Sequence, residues 1–372
     1  MNKTTCKAVF LTILVLSGCN SSPRPGGSGT KIGDDWALLD FVKADSINPI
    51  LEPSPGQIFF CPLAKKEVRW EERNVLNPSA VVKEGKVYLI YRAQDADMTS
   101  RLGLAISDDG LHFRKQPTPV FYPDSDSMKQ YEWKGGVEDP RIVESGDGRY
   151  ILTYTAYDGT VARLCLASSK DLITWEKHGP VLREGKYRDT WSKSGAIVTK
   201  LEEGKIIAVK IRGKYWMYFG DTDLFMATSS DLIRWEIVEN EETKKMISVL
   251  HPRPGYFDSR LVEPGPYALL RENGILLIYN SSNAATYNDT ALPKFTYSAG
   301  QALFDKENPF RLIARTEDYF IHPDKPYEKT GEVNNVCFVE GLVHFRNRWY
   351  LYYGTADSKI AVALKDKAES DL

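Results

Sequence analysis

One turn recurs along the chain. LAISDDGLHF (Leu104 to Phe113), LASSKDLITW (Leu166 to Trp175) and MATSSDLIRW (Met226 to Trp235) each join a short apolar strand to a Ser/Asp-rich turn and a closing aromatic, and the aromatics fall 62 and 60 residues apart. A fixed period of this length marks a repeated supersecondary unit that buries its apolar face only against its neighbours. Between the markers lie KVYLIYRA (Lys86 to Ala93), YILTYTAY (Tyr150 to Tyr157), KYWMYFG (Lys214 to Gly220), ILLIYNSS (Ile275 to Ser282) and WYLYYGTA (Trp349 to Ala356). All are β-branched or aromatic and bounded by turn residues, and helical periodicity is not sustained anywhere after the first segment. The chain is expected to be all-β. Roughly 330 residues at about 60 to 65 per copy predict a five-bladed β-propeller. A pair of β-sandwiches would not explain why the same turn returns.

The first residues have a different character. Lys3 and Lys7 precede the apolar run AVFLTILVL, which is too short to span a bilayer and has the form of a secretory signal. It ends in LSGC, which resembles the bacterial lipobox, so residues 1–18 are expected to be a signal peptide and Cys19 the lipidated first residue of the mature chain. Ser, Gly and Pro then dominate, giving residues 19–35 the composition of a flexible tether ahead of a catalytic domain at 36–372. The expectation is an exported bacterial lipoprotein in the periplasm or at the outer membrane, meeting the membrane only through its lipid.

Lys and Arg (48) nearly balance Asp and Glu (50), leaving a net charge of −2, so the chain has no electrostatic footprint for nucleic acid. After Cys19 only Cys61, Cys165 and Cys337 remain, far apart and without a C-x-x-C pair, which suggests buried thiols rather than disulfides or zinc. The five histidines have no metal-ligand spacing, and no nucleotide motif is present, so neither a metal nor a cofactor is expected. No obligate protein partner is inferred. The tyrosine-rich strands end in YRAQD, YTAYD, YFGDTD, YNSSN and YYGTAD, each with a carboxylate or amide, and in equivalent copies these groups would converge on a central axis. Carboxylates and aromatics around a funnel are what glycosidic bond chemistry needs: one carboxylic acid protonates the leaving oxygen while a second group handles the nucleophile on the opposite face of the sugar.

Taken together, NPSAVV with YRAQD, GGVEDPRIV, WSKSGAIV, YFDSRLVEPGP, NNVCFVEGLV and YYGTAD resemble glycoside hydrolase family 130, the mannoside phosphorylases and β-mannosidases, in order along almost the whole mature chain. The resemblance implies that Asp139 of EDPR is the general acid, acting in the family's phosphorylases through a sugar hydroxyl. Strand alternation would put Asp139 and Arg141 on one face and Glu138 on the other. It further implies that Asn77, Arg92, Asp109 and Asp357 hold the mannosyl unit to be cleaved, with Arg141 also lining the sugar site. Asp109 lies in the repeating SDDG turn, where a purely structural role is equally open.

Water needs a base, whereas phosphate arrives as an anion and needs cations. The family's phosphorylases resemble one another in carrying His and Arg where this chain has Phe219, Gly220 and Asp221, and a basic residue where it has Tyr157, Asp158 and Gly159. The hydrolase branch instead has acidic residues at matching motifs, which points to Glu263 as base, with Asp221 as the second candidate. Lys193 resembles a lysine associated with β-1,2-linked mannosides. The expected function is therefore an inverting exo-β-mannosidase acting on a β-1,2-mannoside oligosaccharide. The alternatives are a mannoside phosphorylase, disfavoured because exported sugar phosphate conserves no energy unless imported, and a non-catalytic glycan-binding lipoprotein.

Overall fold

A computed structural model describes residues 35–183 and 185–366; the signal segment, Cys19 and nearly all of the tether lie outside them. Among the described residues the only helices are the four-residue Lys129–Glu132 and Pro326–Lys329 and a 3-10 turn at Gly185–Tyr187. The protein is all-β, as its β-branched and aromatic strands require.

The strands follow one another as antiparallel meanders. The first runs Asn74–Lys83, Lys86–Gln94, Ser100–Ser107 and Arg114–Lys115. The second runs Gly136–Glu144, Tyr150–Tyr157, Ala162–Ser169 and Glu176–Pro180. The third begins at Ala196–Glu202 and continues through Lys214–Phe219, Phe225–Ser229 and Trp235–Ile237. In the next, the broken leading edge Leu261–Pro264 and Ala268–Arg271 pairs with Gly274–Ser282, followed by Tyr297–Phe304 and Leu312–Arg315. The last comprises Cys337–Phe345, Arg348–Thr355 and Lys359–Asp366, and its outer strand is Val42–Lys43 from the start of the described chain. This last meander packs on the first, where the Tyr352 hydroxyl donates to the Gly110 carbonyl at 2.8 Å. Ile197, Met217, Leu269, Leu276, Leu342 and Leu351, drawn from neighbouring meanders, share one buried apolar cluster.

The recurring turn has one construction. Ser107, Ser169 and Ser229 each donate to the aspartate two residues on, and Asp109, Asp171 and Asp231 each accept two backbone N–H groups through Oδ1 at 2.7 to 2.9 Å. Asp305 accepts the Glu307 and Asn308 N–H groups in the same way, a further copy without its serine. Such a turn satisfies backbone donors that a loop would otherwise strand.

A second repeat is buried and was not anticipated. The segment leading into a meander supplies a carboxylate, the second strand supplies a tyrosine and an outer strand supplies a cation. Glu71 accepts from Tyr91 at 2.8 Å and Lys115 at 3.1 Å, Glu132 from Tyr154 at 2.8 Å and Lys177 at 2.6 Å, and Glu328 from Tyr353 at 2.9 Å and Lys43 at 2.7 Å. Asp258 does the same with Tyr279 and Arg315 at 2.9 and 2.6 Å. Tyr218 breaks the pattern and donates to the Pro309 carbonyl at 2.9 Å. Burial pushes the Glu132 carboxyl up and the Lys177 ammonium pulls it back down. Removing the cation alone leaves an uncompensated buried carboxylate. Lys177→Met is therefore expected to cost about 3 kcal/mol of stability, read as a lowered urea midpoint, and Lys177→Met with Glu132→Gln to recover part of it.

Candidate active site

Within the leading strand of each meander, or just before it in the third, a polar residue is followed by proline or glycine: Asn77-Pro78, Asp139-Pro140, Ser194-Gly195, Glu263-Pro264 and Glu340-Gly341. Proline has no N–H to give to the ladder, and glycine tolerates backbone conformations that other residues avoid. The strand register breaks between Leu76 and Pro78, between Glu138 and Arg141, and between Val339 and Gly341. Asn77, Asp139 and Ser194 have φ of 45°, 47° and 59°. Each break is a bulge that turns one polar side chain out of the alternation, and bulges of this kind are a recurrent way of aiming a residue at a site. In GGVEDPRIV the two glycines have a different task. A Cβ on Gly135 would lie 2.2 Å from the Tyr157 ring, and one on Gly136, at φ 111°, 2.2 Å from the Ser100 carbonyl oxygen. They let this strand meet the first meander, where Ser100 pairs with Gly136.

The bulged residues converge on three cations. Arg92 donates Nη1 to Asp139 Oδ1 at 3.1 Å and Nη2 to Glu138 Oε1 at 2.6 Å. Lys193 Nζ lies 3.2 Å from Asp139 Oδ2 and 3.1 Å from Glu263 Oε1. Arg141 sits beneath them, 2.7 Å from Glu340 and 4.0 Å from Glu263, with further bonds to the carbonyls of Pro264, Gly265 and Asp139. Asn77 Nδ2 donates to Asp139 Oδ1 at 2.9 Å, while its Oδ1 is buried without a hydrogen-bond partner. Ser194 Oγ donates to Glu263 Oε1.

The charges divide the carboxyls into two groups. Burial would raise the Asp139 carboxyl, but Lys193, Arg92, the Asn77 hydrogen bond and Arg141 hold it well below the usual carboxylate range. Burial raises Glu263 against the pull of Lys193 and Arg141, and raises Glu340 further. Burial also pushes Asp357 up to about 6, against the pull of Arg92 and with the help of Asp139. Lys193 would be lowered by burial, yet Glu263, Asp139 and Asp221 together raise it, so it stays an ammonium. Two carboxyls with separated proton affinities, bridged by a cation, can act as an acid and base pair on a glycoside.

The model of the family described as β-1,4-mannooligosaccharide phosphorylase, glycoside hydrolase family 130, matches residues 43–369. The chain belongs to glycoside hydrolase family 130. It is 33% identical over 313 residues to a 1,2-β-oligomannan phosphorylase of Thermoanaerobacter sp. (strain X514), covering 81% of this chain and 93% of that one. A solved glycosyl hydrolase from Bacteroides ovatus is 43% identical, with a TM-score of 0.88 over 90% of this chain and 96% of the other. A second solved structure is described by the statement that the GH130 family of mannoside phosphorylases contains glycoside hydrolases that target β-1,2 mannosidic linkages in Candida mannan. It is 42% identical, with a TM-score of 0.88 over 89% of this chain and 95% of the other.

Within this family 130 chain, Asp139, Glu263, Asn77, Arg92 and Lys193 come together, and Asp357 adjoins them closely enough to act on Arg92 and Asp139. Several expectations need correction. Alternation would have separated Glu138 from Asp139, but the bulge brings both onto Arg92. Arg141 has all three guanidinium nitrogens committed to protein acceptors, so it is a strut under the site rather than a sugar ligand. The Asp109 carboxylate is spent on its own turn, like those of Asp171 and Asp231. Asp221 touches neither Lys193 nor Glu263 and instead accepts the Trp191 indole N–H at 2.7 Å.

The ends of the tyrosine-rich strands do not form the expected ring. Asp95 pairs with Arg101, Asp158 caps the Thr160 and Val161 N–H groups, and Asn283 ties down residues 289–293; Asp357 and, three residues before Asp95, Arg92 are what this family of strand ends adds to the site. Glu138, Ser194, Glu340 and Tyr297 were missed. Tyr297 is close enough to feel Glu263, Lys193 and Asp357. The repeated polar residue before proline or glycine is the sequence signal that finds Ser194 and Glu340.

Asp357 gives the site a pH-dependent cost. Unfolded, it loses its proton near 3.8, whereas in the fold it does so only near 6. Between those values the fold keeps a proton that the unfolded chain has released, so stability falls as pH rises through that window. Asp357→Asn is expected to be more stable than the parent at pH 7, by on the order of 1 to 2 kcal/mol, with the difference gone at pH 4. Urea denaturation at the two pH values measures it.

Proposed function

We propose that this chain is an inverting, exo-acting β-mannosidase that hydrolyses β-1,2-linked mannosides, its meanders arranged as the blades of a five-bladed propeller around the site. The observation that carries hydrolysis is the commitment of the cations: Arg92, Arg141 and Lys193 each already bridge two carboxylates. A phosphate dianion needs cationic donors that are free, and here it would enter beside Glu138, Asp139, Glu263 and Glu340. Water carries no charge and needs only a base. The 42% identical structure whose description speaks of β-1,2 mannosidic linkages supports the substrate.

In this reading Asp139 serves as acid and Glu263 as base, although in the free site Asp139 is held ionised and Glu263 is the one pushed up. Lys193 resolves the mismatch. A substrate hydroxyl that enters between Lys193 and Asp139 removes the strongest cationic hold on Asp139 and leaves the ammonium wholly to Glu263. Asp139 then gains proton affinity and Glu263 loses it, so a proton passes toward Asp139 and on through the hydroxyl to the leaving oxygen. Glu263 takes the proton of the water that attacks C1 from the opposite face. The C1–O bond to the leaving sugar breaks as the new one forms, with inversion. Residues 1–18 direct export in this account, and lipidated Cys19 anchors the enzyme.

The 33% identity to a 1,2-β-oligomannan phosphorylase favours one rival, phosphorolysis of the same bond. Incubating the chain from residue 20 onward with β-1,2-mannobiose, with and without inorganic phosphate, separates the two. The expected product is free mannose at a phosphate-independent rate; mannose 1-phosphate formed only with phosphate overturns the hydrolytic reading. Asp139→Asn and Glu263→Gln are each expected to lower kcat about a hundred-fold or more, with Glu263→Gln rescued by azide if Glu263 is the base.

A further inference from the structure

Trp191 has no place in the chemistry above, yet it is the most conspicuous side chain near it. The residue is 50% exposed beside a buried ionic site. The segment that carries it is pinned on both sides: the Ser192 N–H donates to the Ala162 carbonyl at 3.0 Å, the Leu164 N–H to Ser192 Oγ at 3.1 Å, and the Gly220 N–H to the Lys193 carbonyl at 3.0 Å. The indole itself is fixed by the bond from Nε1 to Asp221 Oδ2 and by the Tyr157 ring, edge-on at 6.3 Å. An exposed aromatic held this firmly has been oriented for something outside the protein.

Between Trp191 and the turn Gly220 to Asp223 lies a cavity of about 200 Å3. Its lining combines apolar residues, among them Phe225 and Met246, with the polar Asp221, Thr222 and Asp223. That pairing suits a pyranose, which presents an apolar C–H face and an edge of hydroxyls. The backbone of the far wall is closely packed. Gly220 has φ 132°, and a Cβ there would lie 2.1 Å from the Asp223 carbonyl oxygen.

We propose that this cavity is the subsite for the sugar on the leaving-group side of the scissile bond, with the Trp191 indole as its stacking platform and Asp221 as the positioning residue that orients the indole. The direction follows from the layout. Asn77, Arg92 and Asp357, the mannosyl-binding candidates, belong to the first and last meanders, whereas the cavity belongs to the third meander and the segment before it. Lys193 stands between the two, touching Asp139 and Glu263 and close enough to Asp221 for its charge to register. A disaccharide cut beside Lys193 places its second ring against Trp191. The inference rests on the reading of the chain as a β-mannoside-cleaving enzyme, and holds for water or phosphate as nucleophile because the leaving sugar is the same.

The test compares β-1,2-mannobiose with β-mannosyl fluoride, whose leaving group has no ring. Trp191→Ala is expected to raise KM for mannobiose about ten-fold with kcat changed less than about three-fold, and to lose at least about five times more kcat/KM on mannobiose than on the fluoride. Trp191→Phe should recover most of the loss. Asp221→Asn, which keeps an acceptor for the indole, should raise KM about two- to three-fold, while Asp221→Leu should match Trp191→Ala. In the Asp139→Asn protein, mannobiose should change the tryptophan fluorescence, and adding Trp191→Phe should abolish the change. Equal losses on the two substrates overturn the subsite. So does a hundred-fold fall in kcat for Asp221→Asn with loss of the acidic limb of the pH profile, which would make Asp221 a base. Failure of the parent enzyme to cleave either substrate counts against the functional reading instead, and the fluorescence titration then decides the subsite alone: no Trp191-dependent change overturns it.

Discussion

The structure depends on a conflict between sheet geometry and the demands of a polar centre. An inner strand of a meander is flanked on both faces, so its ordinary alternation gives side chains to the packing between meanders and none to the middle. A polar residue reaches the middle only where the ladder is broken, and the chain breaks it with a proline or glycine directly after the residue to be displayed. The positive φ at Asn77 and Asp139 is the backbone cost of that display. It is tolerated because the strands on either side of each break remain fully paired.

Once displayed, these groups stabilise one another only as a set. Lys193 is an ammonium because Glu263 and Asp139 flank it, and Asp139 is ionised because Lys193 and Arg92 flank it. Arg141 holds the floor by binding the carbonyls of the Pro264-Gly265 break from the opposite meander, so one buried guanidinium ties two of the interruptions together. The buried carboxylate, tyrosine and cation sets elsewhere in the fold follow the same rule. A buried carboxylate is kept by a tyrosine and a cation from two other segments, and in the four meanders that carry such a set this fixes the register as well as the charge.

Much of the fold was legible in the sequence because its evidence is local. The Ser/Asp turn is made of hydrogen bonds within four residues, so LAISDDGLHF and its relatives announce it directly, and only the serine-free copy at Asp305 escaped. The tyrosine-rich strands were equally plain. The site was less legible because its evidence is not local. Alternation placed Glu138 on the wrong side of Asp139, since nothing in a two-residue period foresees a bulge. Arg141 looked like a sugar ligand until the carbonyls more than a hundred positions away were seen to occupy it. The carboxylates at strand ends were expected to converge, but a residue that ends a strand is first of all available to start a turn, and Asp95 and Asp158 do that. The family resemblance supplied Asp139, Glu263 and Lys193 correctly as neighbours without showing why they must be neighbours.

The pairing of Val42–Lys43 with Lys359–Asp366 joins the two ends of the described chain, and Lys43 delivers to Glu328 the cation that other meanders find within their own sequence. A polypeptide emerging in order from its amino end makes Val42–Lys43 first, but that strand and the Lys43 cation wait without partners until Glu328 and Lys359–Asp366 have followed, long after the first meanders can form. Since every meander lends a residue to the centre, there is no partial site along the way. Val42–Lys43 acts as a clasp on the last meander, and the clasp is the last part to close.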